Sequence, residues 1–183
     1  MRFVAFRKRL LIFLLLEVDM NIKEILSEFR NNNNFKVNPP CGYPELKAGH
    51  VLPDDLKEFY DICGGIDCYT KNGGFPIKIL SPNSFKQANV LLLGDEYDDD
   101  ISSSWYVIID AEDGNYISID CNPNRLGKCY ESFEYIHAIR GNCPIIAISF
   151  AELLTNIFKY NGDYFFWKDI PSFVPYGDAY DEV

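Results

Sequence analysis

The sequence is poor in the side chains on which most enzymes depend. Its 183 residues include only two histidines, His50 and His137. A histidine that acts as a general base needs a partner to orient it, and the sequence offers none near either one. It also has no G-x-S-x-G, H-E-x-x-H or glycine-rich nucleotide-binding motif. We therefore predict that the protein is not an enzyme. A carboxylate-based active site is an open alternative, and its sign would be two carboxylates with perturbed pKa values in one pocket.

The sequence also lacks the cysteine and carboxylate spacing of common metal sites. None of its six cysteines forms a C-x-x-C pair. The acidic run GDEYDDD at residues 94–100 does not have EF-hand spacing, because no glycine stands at the sixth position and no glutamate closes the loop. We predict no metal and no cofactor. The even number of cysteines permits three disulfides, but we expect reduced and mostly buried thiols, which are typical of a cytoplasmic protein.

Positive charge is scarce. The chain has 17 lysine and arginine residues against 27 aspartate and glutamate residues, and its formal net charge is −10. A protein that binds the phosphate backbone needs clustered basic side chains, so a nucleic-acid partner is disfavoured. An acidic surface instead favours solubility and attraction to a basic partner.

No apolar run is long enough to span a membrane. The longest, Leu10 to Leu16, follows four basic residues near the N-terminus. This arrangement imitates a signal peptide, but no small-residue cleavage site follows it. Residues 1–19 could be an upstream translation artefact with Met20 as the true start, a helix that continues into the next one, or a weak membrane-targeting segment. We favour the first interpretation and predict one domain over residues 20–183, with an aromatic and acidic C-terminal tail and no membrane partner.

Apolar spacing predicts helices near both ends of this domain. Ile22, Ile25, Leu26 and Phe29 share one helical face. A second helix is predicted in the stretch LPDDLKEFYDICGG (residues 52–65), beginning near its proline and ending at the two glycines. We expect Gly64 to adopt the left-handed conformation that ends it. A last helix is predicted to start at Ser149 with a capping box.

The middle of the chain has the composition of a sheet. Strands are predicted at residues 75–80, 105–110, 116–120 and 127–132. Asp113-Gly114 is a typical hairpin turn between the second and third of these strands. The apolar segment around His137 is a candidate strand. The fold class predicted from these elements is α+β, with a twisted, mostly antiparallel sheet flanked by helices in a single domain.

The order of these features resembles the SUKH superfamily, which includes bacterial toxin-immunity proteins and the yeast cell-wall assembly regulator. The similarity covers roughly residues 20 to 160. It departs from the family pattern in the long turn CNPNRLG before the last strand. The family motifs matched are a Leu-Pro helix start with a later Phe, a Gly-Gly pair, an Asp-Gly hairpin and a Ser-Phe helix start: Leu52, Pro53, Phe59, Gly64, Gly65, Asp113, Gly114, Ser149 and Phe150.

The resemblance implies an α+β protein without a catalytic centre. It further implies a cytoplasmic immunity protein that binds and neutralises a cognate toxin, often a nuclease with a basic catalytic domain. A non-catalytic scaffold or regulatory binding module, as in the yeast relatives, is the alternative. The matched residues are scaffold positions and do not identify a binding surface.

The acidic run supplies candidate contacts for a basic partner. An acidic surface speeds encounter with a basic cleft, and aromatic side chains dominate interface energetics. Trp105 has an alternative role as a core strand residue, and the acidic run could be only a solvated loop. The candidate partner-binding residues are Asp95, Glu96, Tyr97, Asp98, Asp99, Asp100 and Trp105.

Overall fold

Strands that follow one another in sequence are neighbours in one antiparallel sheet. The structure is a computed structural model that describes residues 21–68, 77–111, 114–160 and 166–181. Within these ranges the sheet has seven strands, which are β1 (Phe35–Val37), β2 (Ile66–Cys68), β3 (Ile77–Ile79), β4 (Trp105–Asp110), β5 (Asn115–Asp120), β6 (Cys129–Phe133) and β7 (Ile145–Ala147). They lie in the sheet in their order in the sequence, and each pair of neighbouring strands is antiparallel.

Helices cover both faces of this sheet, but unequally. The helices are α1 (Ile22–Arg30), α2 (Asp54–Ile62), α3 (Ala88–Leu92), α4 (Phe150–Lys159) and α5 (Phe166–Asp169), with 3-10 turns at Pro82–Ser84 and Ile101–Ser104. The helices α1, α2 and α4 contact one another and form the main core with the sheet. A smaller core on the opposite side includes Ala88, Trp105 and Tyr130 and is covered by α3 and the C-terminal tail. The predicted α+β class with a single domain is confirmed.

A bulge in β4 places two adjacent residues in the same core. The register between β4 and β5 shifts between Val107 and Ile109. Val107 therefore lies in the smaller core, while Ile108 and Ile109, although adjacent in sequence, both lie in the main core. An extra residue in one strand breaks the alternation of side chains between the two faces.

The glycine pair after α2 has a scaffold role. Gly64, expected to be left-handed, is not; Gly65 has the positive φ, at +110°. A Cβ on Gly64 would lie 2.4 Å from the carbonyl oxygen of Pro39, and one on Gly65 would lie 2.6 Å from that of Ile79. Both glycines therefore allow the backbone to pass close to a neighbouring segment, which is a common use of glycine.

Several boundaries differ from those predicted. The loop between the first two helices contains β1, and the segment around His137 forms turns rather than a strand. The next strand along the chain is β7, which begins at Ile145. In the predicted capping box, Ser149 accepts from the backbone of Glu152, but the Glu152 carboxylate binds the amide of Ile148 instead of that of Ser149. Residues 1–19, 75, 76 and Asp113 lie outside the described ranges.

Burial accounts for the state of the cysteines. All six are free thiols, and only Cys41 is exposed. Burial raises the pKa of Cys63 to about 11 and that of Cys143 to about 12. Thiols with raised pKa values are poor nucleophiles at neutral pH, so these cysteines are packing residues.

A buried carboxylate connects the end of β5 to its surroundings. Asp120 is fully buried. Its side chain accepts hydrogen bonds from Ser104 Oγ (2.7 Å), Asn122 N (2.8 Å), Arg125 Nε (2.8 Å) and the Tyr130 hydroxyl (3.1 Å). A buried charge is tolerated only when it is paired and hydrogen-bonded in this way. This network joins β5, β6, the 3-10 turn before β4 and the turn after β5.

We predict that Asp120→Ala lowers the free energy of unfolding by about 3–5 kcal/mol, because it leaves the Arg125 guanidinium without its carboxylate. Urea denaturation measures the change. The matched control is Asp54→Ala, which removes an exposed carboxylate paired with Lys57 and should have no measurable effect. Equal stability of the two variants would contradict the structural role of Asp120.

Candidate functional site

The acidic loop, residues 95–100, connects α3 to the 3-10 turn Ile101–Ser104. Its first five side chains, from Asp95 to Asp99, are exposed to solvent. The sequence prediction of an exposed acidic surface is therefore met for these five residues. Asp100 is different, because it is only partly exposed.

Asn89 fastens the loop to the protein interior. Its amide is fully buried, and Nδ2 donates to the backbone oxygen of Glu96 at 2.9 Å. Its Oδ1 lies 2.8 Å from His137 Nε2. Since Oδ1 can only accept, His137 Nε2 carries the proton of a neutral imidazole. The beginning of the loop is thus fixed by a buried side chain, and the exposed carboxylates are displayed on an ordered backbone.

Lys47 pairs with two of the loop carboxylates. Its ammonium contacts the Glu96 carboxylate and lies 2.5 Å from Asp98 Oδ1. The hydrogen bonds that Lys47 donates to Asp98 and Glu96 raise the pKa of its ammonium, so this side chain is charged at all physiological pH values. One lysine therefore compensates part of the charge of the four exposed carboxylates.

His50 belongs to the same neighbourhood and has a structural partner. The Tyr106 hydroxyl accepts from the amide of Lys47 at 3.0 Å and lies 2.9 Å from His50 Nδ1. Burial and the nearby Lys47 charge lower the pKa of His50. The imidazole is neutral near pH 7 and shares a hydrogen bond with the Tyr106 hydroxyl, an arrangement that orders the segment around Lys47.

Tyr97 is the strained residue of the loop. Its φ is 50°, a left-handed conformation that is costly for a bulky side chain. The aromatic ring is nevertheless 52% exposed. Backbone strain of this kind is concentrated at functional sites, where the surrounding structure maintains it.

Asp100 is a capping residue rather than a free surface charge. Its Oδ1 accepts from Ser102 N (2.8 Å), Ser102 Oγ (2.6 Å) and the Tyr180 hydroxyl (2.8 Å). Burial alone would raise the pKa of Asp100, but these hydrogen bonds outweigh it and place the pKa below its ordinary value. The carboxylate therefore ties the loop to the 3-10 turn and to the C-terminal tail.

Trp105 lies in the core. Its side chain is fully buried and stacks on Tyr130 with ring centroids 4.2 Å apart. Of the two roles considered from sequence, the structure places this residue in the strand core, where the indole presents no surface to a partner.

An apolar ridge lies directly before the acidic loop, and sequence reasoning did not identify it. It consists of Val90, Leu91 and Leu93, which are 46%, 44% and 41% exposed. The run VLLL at residues 90–93 could have indicated this exposed surface. The helix α3 has only five residues, and Ala88 and Asn89 occupy its buried positions, so it cannot bury all the apolar residues that follow them.

In the ranges that the structure describes, no three His, Cys, Asp or Glu side chains are placed to hold a metal ion together. Likewise, no helix in the described part of the chain has the length and apolar character needed to cross a membrane.

We predict that Tyr97→Asn leaves the protein as stable as before or raises the free energy of unfolding by up to about 1 kcal/mol, since asparagine tolerates the left-handed conformation. Thermal unfolding measures the change. A clear loss of stability would mean that the ring is needed for packing, and it would remove Tyr97 from the candidate surface.

We also predict an acid-dependent loss of stability from His137. Burial lowers its pKa to about 4, against the weaker opposing effect of Asp100. The unfolded chain takes up the proton near pH 6.5 and the folded chain only near pH 4, so the free energy of unfolding falls by about 3 kcal/mol as the pH drops through this interval. Urea titrations of the wild type and of His137→Gln at several pH values isolate this contribution. Identical pH slopes for both proteins would contradict the buried neutral imidazole.

Comparison with known proteins adds the family to this geometry. Residues 45–156 match the SMI1 / KNR4 family (SUKH-1). Over 169 residues the chain is 37% identical to "Immunity protein YokJ" of Bacillus subtilis (strain 168). The matched region covers 92% of this chain and 98% of the relative. The predicted superfamily is confirmed, and the immunity function that the resemblance implied is the one in this relative's name. The chain belongs to the SMI1 / KNR4 (SUKH-1) family.

Proposed function

We propose that this chain is an immunity protein that binds the catalytic domain of a cognate toxin and blocks access to its substrate. Family membership and the 37% identity to an immunity protein over nearly the whole chain support this function. The toxin contact is assigned to the acidic loop, and one observation carries that assignment: four exposed carboxylates stand within five residues, on a backbone fixed from inside by Asn89.

The charge of the loop suits a basic partner. Enzymes that cleave nucleic acids attract phosphate with basic clefts, and such a cleft is complementary to Asp95, Glu96, Asp98 and Asp99. Complementary charges raise the association rate and favour the correct orientation. Lys47 reduces the repulsion among these carboxylates in the free protein and leaves the loop with an excess of negative charge.

Tyr97 supplies an aromatic contact within the acidic loop. Tyrosine combines a large apolar area with a hydroxyl and is enriched among residues that dominate binding energy. The strained residue is 52% exposed and lies in sequence between two pairs of exposed carboxylates. We assign Tyr97 as the aromatic contact of the acidic loop in place of the buried Trp105.

A binding function without catalysis agrees with how two carboxylates in a surface cleft are used. A cleft of about 420 Å³ is lined by residues that include Glu131, Lys168 and Asp178. The Glu131 oxygens are engaged by the Lys168 ammonium (2.8 Å) and by the Trp167 indole. Asp178 accepts from two backbone amides. Both carboxylates are thus committed to internal bonds and do not form an acid–base pair. The reduced, buried thiols fit a cytoplasmic location.

We predict that Asp98→Asn/Asp99→Asn lowers the association rate constant for the toxin about tenfold at about 50 mM salt, and much less at about 500 mM, because salt screens steering. The probe is the purified catalytic domain of a candidate cognate toxin, and the association rate is measured by stopped-flow mixing. The control is Asp54→Asn/Glu134→Gln, which removes the same number of exposed charges elsewhere.

Two results would contradict the proposal. Equal association rates for the loop and control variants would remove the acidic loop from the contact. A wild-type chain that neither binds this domain nor protects cells that express it would refute the immunity function for this pair.

A further inference from the structure

We infer that the apolar ridge of Val90, Leu91 and Leu93 is the dry centre of the toxin contact, and that it docks on an apolar patch beside the basic groups of the toxin's catalytic domain. This inference rests on the proposed immunity function and adds to it the surface that holds the complex together. The acidic loop then forms the polar rim on one side of the ridge.

The ridge is exposed because α3 is too short to bury it. Ala88 and Asn89 are fully buried, and Leu92 packs partly against the smaller core. The other three apolar residues are each more than 40% exposed and stand within four positions of one another. Scattered exposed leucines are normal on a protein surface, whereas adjacent ones beside a charged rim are typical of an interaction site.

The ridge is also held in one conformation before any partner arrives. The amides of Leu93 (2.7 Å) and Gly94 (3.1 Å) both donate to the backbone oxygen of Asn89. The Asn89 side chain is bound at the same time to Glu96 and to His137. The ridge and the loop therefore share a single buried support. A surface that is ordered in advance loses little conformational entropy on binding, and this increases affinity.

The negative charge of the acidic loop determines which kind of partner can bind the ridge. The ridge continues without a break into the exposed carboxylates of the acidic loop. A second copy of this chain would place like charges against each other, and the whole chain carries −10. An anionic membrane surface would be repelled for the same reason. A toxin domain with basic groups around an apolar patch satisfies both parts of the surface.

The two parts should act on different steps of binding. Rim charges mainly set the association rate, while a desolvated apolar centre mainly sets the dissociation rate. This difference separates the ridge from the acidic loop experimentally. Glutamine is the suitable replacement, because it is polar, uncharged and a good helix former, and so changes neither the net charge nor the helix propensity of α3 by much.

The test is surface plasmon resonance with the full chain and the same purified catalytic domain of a candidate cognate toxin. We expect Val90→Gln/Leu91→Gln to raise the dissociation rate constant by at least tenfold, with the association rate constant within about twofold of wild type, at both low and high salt. Val174→Gln is the matched control, since Val174 is 78% exposed on the C-terminal tail. Leu93→Gln, which lies just beyond α3, gives a second ridge variant that leaves the helix intact.

Each outcome has a definite meaning. Ridge variants that melt like the wild type and dissociate at its rate would overturn the inference and leave the immunity function standing. A wild-type dimer in sedimentation that the ridge variants abolish would assign the ridge to a second copy and also overturn it. If the wild-type chain does not bind the toxin domain at all, the proposed function itself fails.

Discussion

The buried carboxylate of Asp120 is the constraint on which the candidate surface depends. A charge without solvent must be fully paired, and its partners come from the 3-10 turn Ile101–Ser104, from the turn after β5 and from β6. The 3-10 turn is the direct continuation of the acidic loop. One end of the loop is thereby fixed through Asp100 and this turn, and the other end through the buried amide of Asn89. Exposed charges between two such fixed points keep a defined arrangement.

The unequal covering of the two faces of the sheet explains why apolar side chains beside the acidic loop are exposed. One face carries α1, α2 and α4 and the larger core. The other is covered by α3 and by the tail, where Tyr180 bonds to Asp100 and to the backbone of Ala138. A thin cover made of a short helix and a loop leaves apolar side chains outside, and those side chains adjoin the carboxylates. The proposed binding surface therefore lies where the fold has least material with which to bury its own residues.

Much of this fold could be predicted from sequence, and the failures have physical causes. The stripe of α1 follows the helical period, so its four buried residues were predicted correctly. Three-residue strands such as β1 and β7 carry too short a pattern, and tertiary pairing alone defines them. The exposure of residues 95–99 was predictable from composition. The burial of Trp105 depends on Tyr130, and the hydrogen bond that holds Asp100 to the tail depends on Tyr180; contacts with residues distant in sequence are not visible in local patterns.

Hydrogen–deuterium exchange of the full chain, with and without the catalytic domain of a candidate cognate toxin, is the most direct test of the proposed contact. It reports where a partner covers the backbone and needs no substitution that could disturb folding. We expect slower exchange on binding from α3 through the acidic loop, with little change in α1 and α4. Protection confined to α1, α2 and α4, with unchanged exchange at residues 88–100, would contradict it and place the toxin on the opposite face of the sheet.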